Sequence, residues 1–454
     1  MQGKNSTTKK QVNLNSMKTF KSLTLGAIAL FCVATVNAQT EVYITGSTAF
    51  RSAATVAIRN IFDAAPAVQV AFSNNSTTPT GANQVIYVGN IGAAPYIIHT
   101  SWSGSEAGIQ TVAGAPTFNV NFLPDATCPG SCSNYPGTAV AAGSDAHVPQ
   151  VAFSDTFQTT SQFRGTFNGV TYATLNEAAG TSSGHGSPVG IVVFKWCADN
   201  GATISNITAQ QARALYNIGR RPLALFSGLA ADEGSIVVAM GRNPDSGTRL
   251  TAFSETGIGA LTTVNQFQPQ TSASVLVNNV TQTVSKFVVW PAETINGVPV
   301  TAFHSGYSSG GDLSKAMRAV TTNPVAVTVG TVTGSYAPGT ITRIAYLGQS
   351  DADANLLNAG SPPPGVELSY NGVHLGVFAN YETANVITEG QYTFWGFEHV
   401  LYNTSTIPPA VKTAADLLAT DLHDTDSPVR LSAMRATRTT DGATVTNSGY
   451  TTVP

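Results

Sequence analysis

Charged residues are scarce in this chain. Of its 454 residues only 10% are charged, with 22 basic side chains against 25 acidic ones. This composition excludes an acidic disordered tail, a coiled coil and a basic nucleic-acid binder. After residue 38 no apolar run approaches the roughly 20 residues that a membrane-spanning helix needs. The chain is 42% hydrophobic, and it is long enough to bury the cores of two domains.

Catalytic patterns are also missing. The seven histidines are scattered, and neither an HExxH nor a GxSxG motif occurs. No set of nucleophile, base and metal ligands appears, so an enzyme such as a phosphate-ester hydrolase is the least favoured interpretation. We expect a protein that is not an enzyme and that binds neither a metal nor a cofactor.

All of the early charge is lysine. Five lysines precede the apolar run at residues 23–36, and no acidic residue occurs before Glu41. This order is typical of a secretory signal peptide, which we place at residues 1–38 with cleavage after Ala38. Loss of the five lysines leaves 17 basic residues against 25 acidic ones, hence a net charge of −8. We therefore expect a periplasmic or secreted protein.

Cysteine is rare, with four residues in the whole chain. Cys32 belongs to the predicted signal peptide, and Phe31 before it argues against a lipid anchor, which needs a small residue there. Cys128 and Cys132 are spaced to close a small disulfide loop in an oxidising compartment, which leaves Cys197 unpaired. A metal site at this pair is disfavoured because no histidine or second cysteine pair lies near it.

Short β-branched runs alternate with segments of helical periodicity, which predicts an α/β fold. The predicted strands lie at residues 42–44, 84–88, 148–153, 189–194, 235–239 and 287–290. The predicted helices lie at residues 49–62, 209–216 (capped by Thr208), 250–254 and 311–320. We expect surface insertions at residues 110–147 and 155–187, and a linker or crossover at residues 348–366.

Four segments place small polar residues where a strand ends or a helix begins. Helix N-termini expose unpaired N–H groups and a partial positive charge, and both favour a bound anion. The four segments are Thr45-Gly46-Ser47-Thr48-Ala49-Phe50, Ser103-Gly104-Ser105-Glu106-Ala107-Gly108-Ile109, Phe153-Ser154-Asp155 and Gly241-Arg242-Asn243-Pro244-Asp245-Ser246-Gly247-Thr248. Each of them alone is more typical of an ordinary helix cap.

The fourth segment is the most specific of these. Arg242 precedes Ser246 by four residues, so a forked guanidinium and the backbone donors of a helix start occur together. This combination suits a tetrahedral anion. A surface ion pair is the alternative role for Arg242.

In order and approximate spacing, these segments resemble the periplasmic phosphate-binding proteins of ABC transporters, a type II periplasmic binding protein family. Residues 204–216 extend the resemblance, and residues 390–396 are similar to the family's Gly-x-Tyr-Pro-x-Trp motif, with Thr393 in place of Pro. The resemblance implies an α/β fold of two lobes joined by two crossings, with the ligand in the cleft between them. The implied lobe 1 is residues 39–188, lobe 2 is residues 189–347, and residues 348–454 return to lobe 1 and form a C-terminal tail. The crossing candidates are residues 189–194 and 341–347.

The resemblance also implies which residues contact the ligand. They come from all four segments: Ser47, Thr48, Ala49, Phe50, Ser105, Asp155, Arg242, Ser246, Gly247 and Thr248. A carboxylate repels an anion unless the ligand carries a proton, which phosphate does at neutral pH and sulfate does not. Such a site rejects the analogue that lacks the proton by on the order of 10⁴–10⁵. An Asx turn is the alternative role for Asp155, and Arg51, where many family members have Pro, faces either the cleft or solvent.

The implied function is that of an exported solute-binding protein. It would capture inorganic phosphate, or a similar tetrahedral oxyanion, as a monomer and deliver it to an ABC transporter permease in the inner membrane. No nucleic-acid partner is expected. The alternative is a surface or matrix interaction protein that reuses the two-lobed scaffold without transport, which the charge-poor, Thr/Ser/Asn-rich composition also allows.

Overall fold

The chain builds an α/β structure, as the sequence predicts, in which single helices separate groups of strands. The computed structural model describes residues 39–447 except 129, 178–187, 271–282, 322 and 330–331. The predicted signal peptide at residues 1–38 and the last residues of the tail, 448–454, lie outside the described residues. The described residues belong to one compact unit.

The strands of the described residues are mostly short. In chain order they are β1 (Thr40–Gly46), β2 (Gln69–Ser73), β3 (Gln84–Ile91), β4 (Ala94–Ser101), β5 (Val120–Phe122), β6 (Ser133–Asn134), β7 (Thr138–Val140), β8 (Asp145–His147), β9 (Val151–Ser154), β10 (Gly165–Phe167), β11 (Val170–Tyr172), β12 (Gly190–Asp199), β13 (Asn206–Ile207), β14 (Arg220–Pro222), β15 (Ile236–Ala239), β16 (Phe267–Gln270), β17 (Lys286–Val289), β18 (Glu293–Ile295), β19 (Val298–Val300), β20 (Val325–Val329), β21 (Val332–Tyr336), β22 (Ile341–Gly348), β23 (Gly365–Tyr370), β24 (Trp395–Leu401), β25 (Ala436–Thr437) and β26 (Thr446–Asn447).

The α-helices are also short, and within the described ranges none has the length and apolar character to cross a membrane. In chain order they are α1 (Arg51–Asn60), α2 (Ser105–Ala113), α3 (Ala209–Ile218), α4 (Ala224–Ser227), α5 (Gly247–Glu255), α6 (Gly310–Ala316), α7 (Gln349–Ala352), α8 (Asn385–Thr388) and α9 (Pro409–Asp421). Single turns of 3₁₀ helix occur at Pro79–Gly81, Asp125–Thr127, Ala230–Asp232, Tyr381–Thr383 and Leu431–Ala433, and π turns at Asp353–Leu357 and Leu422–Asp426.

One large mixed sheet forms the centre of the molecule. Its strands follow the order β14-β15-β22-β12-β24-β9-β1-β4-β3-β2-β6, with β13, β23 and β7 paired beside this path. Strand β1 is parallel to both β4 and β9. Because parallel strands end at the same edge of a sheet, the turns that follow these three strands lie side by side. These turns carry the first, second and third segments singled out in the sequence.

Strand β12 connects the two halves of this sheet. Its residues 190–193 pair with β24, and its residues 194–198 pair with β22. All ten residues of β12 and all eight of β22 are buried. Both predicted crossing segments therefore belong to central strands, while the division into lobes at residues 188/189 and 347/348 remains a prediction.

The predicted elements are present, with shifted ends. All six predicted strands occur, and Thr208 caps α3 through a reciprocal pair of hydrogen bonds with Gln211. Helix α1 begins two residues later than predicted, α5 extends the predicted segment at both ends, and α6 ends at Ala316 instead of residue 320. The ends differ because capping contacts, and not the apolar period alone, decide where a helix begins and ends.

The predicted insertions are only partly superficial. Residues 110–113 belong to helix α2 and are buried, whereas most of residues 114–147 form exposed loops and short strands. Cys128 and Cys132 are joined by a disulfide there, and Cys197 is free and buried in β12. At the start of the second stretch, residues 155–158 are buried against the site. The expected linker at residues 348–366 contains α7 and a π turn.

Candidate functional site

The second and fourth segments meet backbone to backbone. Gly104, with a φ of +120°, precedes helix α2, and a side chain at this position would overlap the carbonyl oxygen of Asp245. The N–H of Glu106 donates to the same oxygen at 3.0 Å. Two turns that are far apart in the sequence are therefore in direct contact.

Asp155 joins these two turns to the end of β9. Its Oδ1 accepts a hydrogen bond from the Ser105 hydroxyl, and its Oδ2 accepts one from the Thr248 hydroxyl at 3.1 Å. The residue is 1% exposed. The Asx turn considered as the alternative is wrong, because the N–H of Phe157, which such a turn would use, donates to Asp441 at 2.9 Å.

The start of helix α5 completes this cluster. Ser246 caps the helix by accepting a hydrogen bond from the N–H of Arg249 at 3.2 Å. Gly247 lies against Asp155 and Ser105 so closely that a Cβ atom there would overlap the Asp155 carboxylate. The unpaired N–H groups of the first turn of α5 are therefore beside the carboxylate and two hydroxyl groups. We call Ser105, Asp155, Gly247 and Thr248 the four-residue cluster.

Arg242 is buried next to this cluster, being 1% exposed. Its Nε donates to the carbonyl oxygen of Tyr307 at 3.0 Å, and its Nη2 donates to that of Ser308 at 2.8 Å. Its Nη1 donates no hydrogen bond to any residue that the structure describes. The surface ion pair considered for Arg242 is wrong, because the side chain is buried and has no ion pair within 4 Å in the described part of the chain.

A hydrogen-bonded network holds the backbone of Arg242. Its N–H donates to the Tyr346 hydroxyl at 3.1 Å, and that hydroxyl donates to Oε1 of Gln266 at 3.0 Å. The Gln266 amide donates in turn to the carbonyl oxygen of Arg242 at 3.0 Å. Sequence reasoning missed Tyr346 and Gln266, because neither lies in a recognisable pattern.

The first segment contributes its backbone and hydroxyl groups from another side. The N–H of Ser47 donates to the carbonyl oxygen of Phe153 at 2.8 Å, and the Ser47 hydroxyl accepts from the N–H of Phe50 at 3.3 Å. The Phe50 ring stacks on Phe153 inside the core, so only its backbone is available to a ligand. Thr48 lines a neighbouring cavity together with Arg51, whereas Ala49 contacts the end of β22 and the start of α7 at residues 348–350. Of the ten sequence-predicted contacts, four form the cluster. The other six lie outside it: Arg242 and Ser246, which flank the cluster in the fourth segment, and Ser47, Thr48, Ala49 and Phe50 of the first segment.

Burial and neighbouring charge set the protonation of the cluster. Burial raises the pKa of Asp155, while the Ser105 hydroxyl, the Arg242 charge and the Thr248 hydroxyl oppose this rise. Burial lowers the pKa of Arg242, and the carboxylates of Asp351 and Asp155 oppose that change. The site therefore contains one acidic group beside one basic group, both removed from water, where electrostatic interactions are strong.

Glu398 of β24 is a further buried acid beside the cluster that the sequence did not indicate. Burial raises its pKa well above the usual range, the Asp155 charge adds to this rise, and the neighbouring Ser47 hydroxyl opposes it. Burial therefore disfavours the charged form of this side chain.

The late motif at residues 390–396 supports the site without entering it. The Tyr392 hydroxyl donates to the carbonyl oxygen of Phe194 in β12 at 2.7 Å, and the Thr393 hydroxyl donates to the Glu255 carboxylate at the end of α5. The Arg438 guanidinium stacks 4.3 Å from the Trp395 ring centre. Part of the predicted C-terminal tail is therefore packed against the elements that carry the site.

Within the described ranges, no three His, Cys, Asp or Glu side chains are grouped so that they could hold a metal ion.

Comparison with known proteins finds similarity in structure only. No family model matches the chain, and no curated protein matches it. A Clostridium perfringens protein solved with bound phosphate is 11% identical, with 86% of this chain and 100% of that chain covered at a TM-score of 0.39. A phosphate-binding protein from Stenotrophomonas maltophilia is 11% identical, with 90% and 88% covered at a TM-score of 0.37. An ABC-type phosphate transport receptor from Vibrio cholerae is 11% identical, with 84% and 96% covered at a TM-score of 0.36.

These proteins are of the class that the sequence motifs resemble. At such identities and TM-scores the likeness carries no argument about what this chain binds. The ligand is therefore argued from the residues of the site.

Proposed function

We propose that this chain is an exported solute-binding protein that captures inorganic phosphate, or a similar tetrahedral oxyanion, for an ABC transporter. The observation that carries the proposal is the contact of the four-residue cluster beside buried Arg242. Two hydroxyl groups and the start of α5 meet at the Asp155 carboxylate, and the charge of Arg242 acts on the same carboxylate. These are the donors that a small anion with several oxygen atoms requires.

The free energy for capture has to come from these local donors. A mature chain with a net charge of −8 repels an anion at long range. Charge-assisted hydrogen bonds contribute about 1.5–3 kcal/mol each, so a few of them suffice for micromolar binding after the costs of ordering.

Asp155 favours a protonated anion in this proposal. Its oxygens accept hydrogen bonds from the Ser105 and Thr248 hydroxyl groups. The P–OH group of a ligand would donate a hydrogen bond to this carboxylate. The Ser105 and Thr248 hydroxyl groups would then donate to the oxygen atoms of the ligand. Sulfate has no proton to donate at neutral pH, and it meets a repelling charge.

In the proposed division Asp155 belongs to lobe 1 and the start of α5 to lobe 2, and the two are in direct contact in the structure. A ligand that contacts both would bind this closed form and not an open one. Its affinity would then differ between the open and closed forms, and binding would favour closure. The closed form would be delivered as a monomer to a permease in the inner membrane after export by the predicted signal peptide. No observation on the described residues favours the surface or matrix interaction protein or a hydrolase, so we propose neither.

Isothermal calorimetry, which measures the affinities for phosphate and sulfate, tests the proposal. Thermal shifts with phosphate, sulfate, arsenate and molybdate show which of these oxyanions stabilise the protein. We expect Arg242→Ala to weaken phosphate binding at least about tenfold, a loss of roughly 1.4 kcal/mol or more. Arg59→Ala, which removes an arginine bonded to exposed Asn60, is the matched control. An unchanged affinity in folded Arg242→Ala would count directly against the site.

A further inference from the structure

A polar cavity of about 550 Å³ lies beside the candidate site. Thr48 of the first segment and Arg51 of α1 line one side, and Lys315 of α6 and Asp351 of α7 line the other. The volume is within the roughly 300–1,000 Å³ typical of small-molecule sites. An oxyanion of five heavy atoms, comparable to a few waters of about 30 Å³ each, leaves most of this space unfilled.

A short stretch of chain connects the cavity to Arg242. The Arg242 Nη2 donates to the carbonyl oxygen of Ser308 at 2.8 Å, and Gly311, three residues later, lines the cavity. Asp351, which also lines the cavity, is 3.9 Å from the Arg51 guanidinium. Thr48, which belongs to the predicted anion contacts, lines the same cavity.

Donors in this cavity lack partners. Arg51 is 7% exposed, and its Nε has no hydrogen-bond partner among the described residues, although its Nη1 donates to Asn83 at 2.9 Å. Lys315 forms neither an ion pair nor a hydrogen bond with any residue that the structure describes. Lys315 is only partly buried and lines the cavity, so its ammonium group can donate hydrogen bonds to a ligand there.

The remaining walls of the cavity are rich in hydroxyl and amide groups. They belong to Asn74, Asn75, Thr77, Thr78, Ser350 and Asn355. These side chains both donate and accept hydrogen bonds, which matches the chemistry of hydroxyl groups and offers little to an apolar substituent.

We propose that the ligand is a phosphomonoester with a small hydroxylated remainder. Its phosphoryl group occupies the site beside Arg242, and its hydroxyl groups occupy the cavity beside Arg51 and Lys315. This inference rests on the proposed function and narrows its substrate class. A phosphomonoester monoanion keeps one P–OH group, so it also satisfies Asp155.

Calorimetry of the purified chain with glycerol 3-phosphate, methyl phosphate and inorganic phosphate tests the inference. Methyl phosphate carries the same phosphoryl group without the hydroxyls. We expect glycerol 3-phosphate to bind at least about tenfold more tightly than methyl phosphate. In Lys315→Met we expect this preference to fall below about threefold, with less than a twofold change in the affinity for methyl phosphate.

Lys286→Met is the matched control, because Lys286 lies in β17 and does not line the cavity; it should keep the full preference. Lys315→Gln serves in place of Lys315→Met if the latter melts earlier than the wild type without ligand. Equal affinities for glycerol 3-phosphate and methyl phosphate, with inorganic phosphate bound, would overturn this inference and leave the proposed function intact. Binding of none of the three would overturn both.

Discussion

Two buried acids near the start of helix α2, Glu106 and Asp155, differ in where their hydrogen-bond donors lie in the sequence. Glu106 accepts hydrogen bonds from Thr156 at 3.1 Å and from Ser161 at 2.6 Å, both in the single segment after β9. Asp155 accepts them from Ser105 and Thr248, which belong to two separate segments. The Glu106 side chain is therefore held by one stretch of chain, whereas the Asp155 side chain joins three stretches of chain.

The charges around the two acids differ as well. Burial raises the pKa of Glu106 to about 8, and the carboxylates of Asp441 and Asp245 add to this rise. Burial also raises the pKa of Asp155, but the Arg242 cation opposes that rise. Burial alone therefore does not distinguish the proposed ligand contact from the other acid. The two differ in where their hydrogen-bond partners lie in the sequence.

The largest expected effect on phosphate affinity comes from a side chain placed at the start of α5. Gly247→Val puts a side chain where the Asp155 carboxylate lies, so the residues of the four-residue cluster have to move apart. We expect calorimetric phosphate affinity to fall by about a hundredfold or more, roughly 2.7 kcal/mol. Gly234→Val, at a position with open space around it, is the control. Near-normal binding in folded Gly247→Val would show that the ligand does not use this cluster.

A second substitution separates the two acids directly. Asp155→Asn replaces a carboxylate, which can only accept a hydrogen bond from the ligand, with an amide, which can also donate one. The preference for phosphate over sulfate should therefore shrink at least about tenfold. Glu106→Gln should leave that preference unchanged, because its partners lie outside the cluster. Competition calorimetry with both anions measures the ratio. Equal discrimination in the wild type and Asp155→Asn would reject the proton-reading role.

The pH dependence of stability sharpens the comparison further. Below about pH 4.5 Glu106 is protonated in both the folded and the unfolded chain. Between pH 4.5 and 8 the unfolded chain releases this proton and the folded chain keeps it, so rising pH lowers the free energy of unfolding. We expect Glu106→Gln to remove up to about 1.4 kcal/mol per pH unit of this slope in urea titrations. Parallel curves for the two proteins would show that Glu106 titrates normally.

The smallest effect on binding is expected far from both acids. Cys128 and Cys132 close a short loop within residues 114–147, and no residue of that stretch belongs to the four-residue cluster. Replacement of both by Ser should lower the free energy of unfolding by at most about 2 kcal/mol and change phosphate affinity less than about twofold. Thermal melting and calorimetry measure the two quantities. A large loss of affinity would tie this stretch to the site.

Local patterns in the sequence were enough to predict much of the fold and part of the candidate site. Strand runs such as residues 235–239 and caps such as Thr208 depend on neighbours a few residues away, so they are readable without a structure. The sequence also singled out Arg242, Ser246 and Gly247 as one unit, because they share one turn. It gave no indication of Tyr346, Gln266 or Glu398, because they reach the site from distant strands and loops.

Some positions were ambiguous in the sequence and became clear in the structure. Arg51 was open to either the cleft or solvent, and it lies buried in the cavity wall next to Asp351. Asp155 was open to an Asx turn, and its carboxylate instead receives two distant hydroxyl groups. In both cases the partner that decides the role is far away in the chain.

The sequence by itself determined the α/β class, the small-residue turns at the ends of strands and the residue types that suit an oxyanion. These follow from periodicity, capping and charge, which act over a few residues. Only the tertiary structure decided that the turns meet, because parallel pairing of β1 with β4 and β9 brings their ends to one edge of the sheet. It also decided which buried acid joins three segments, since burial and distant hydrogen bonds are properties of the packed chain.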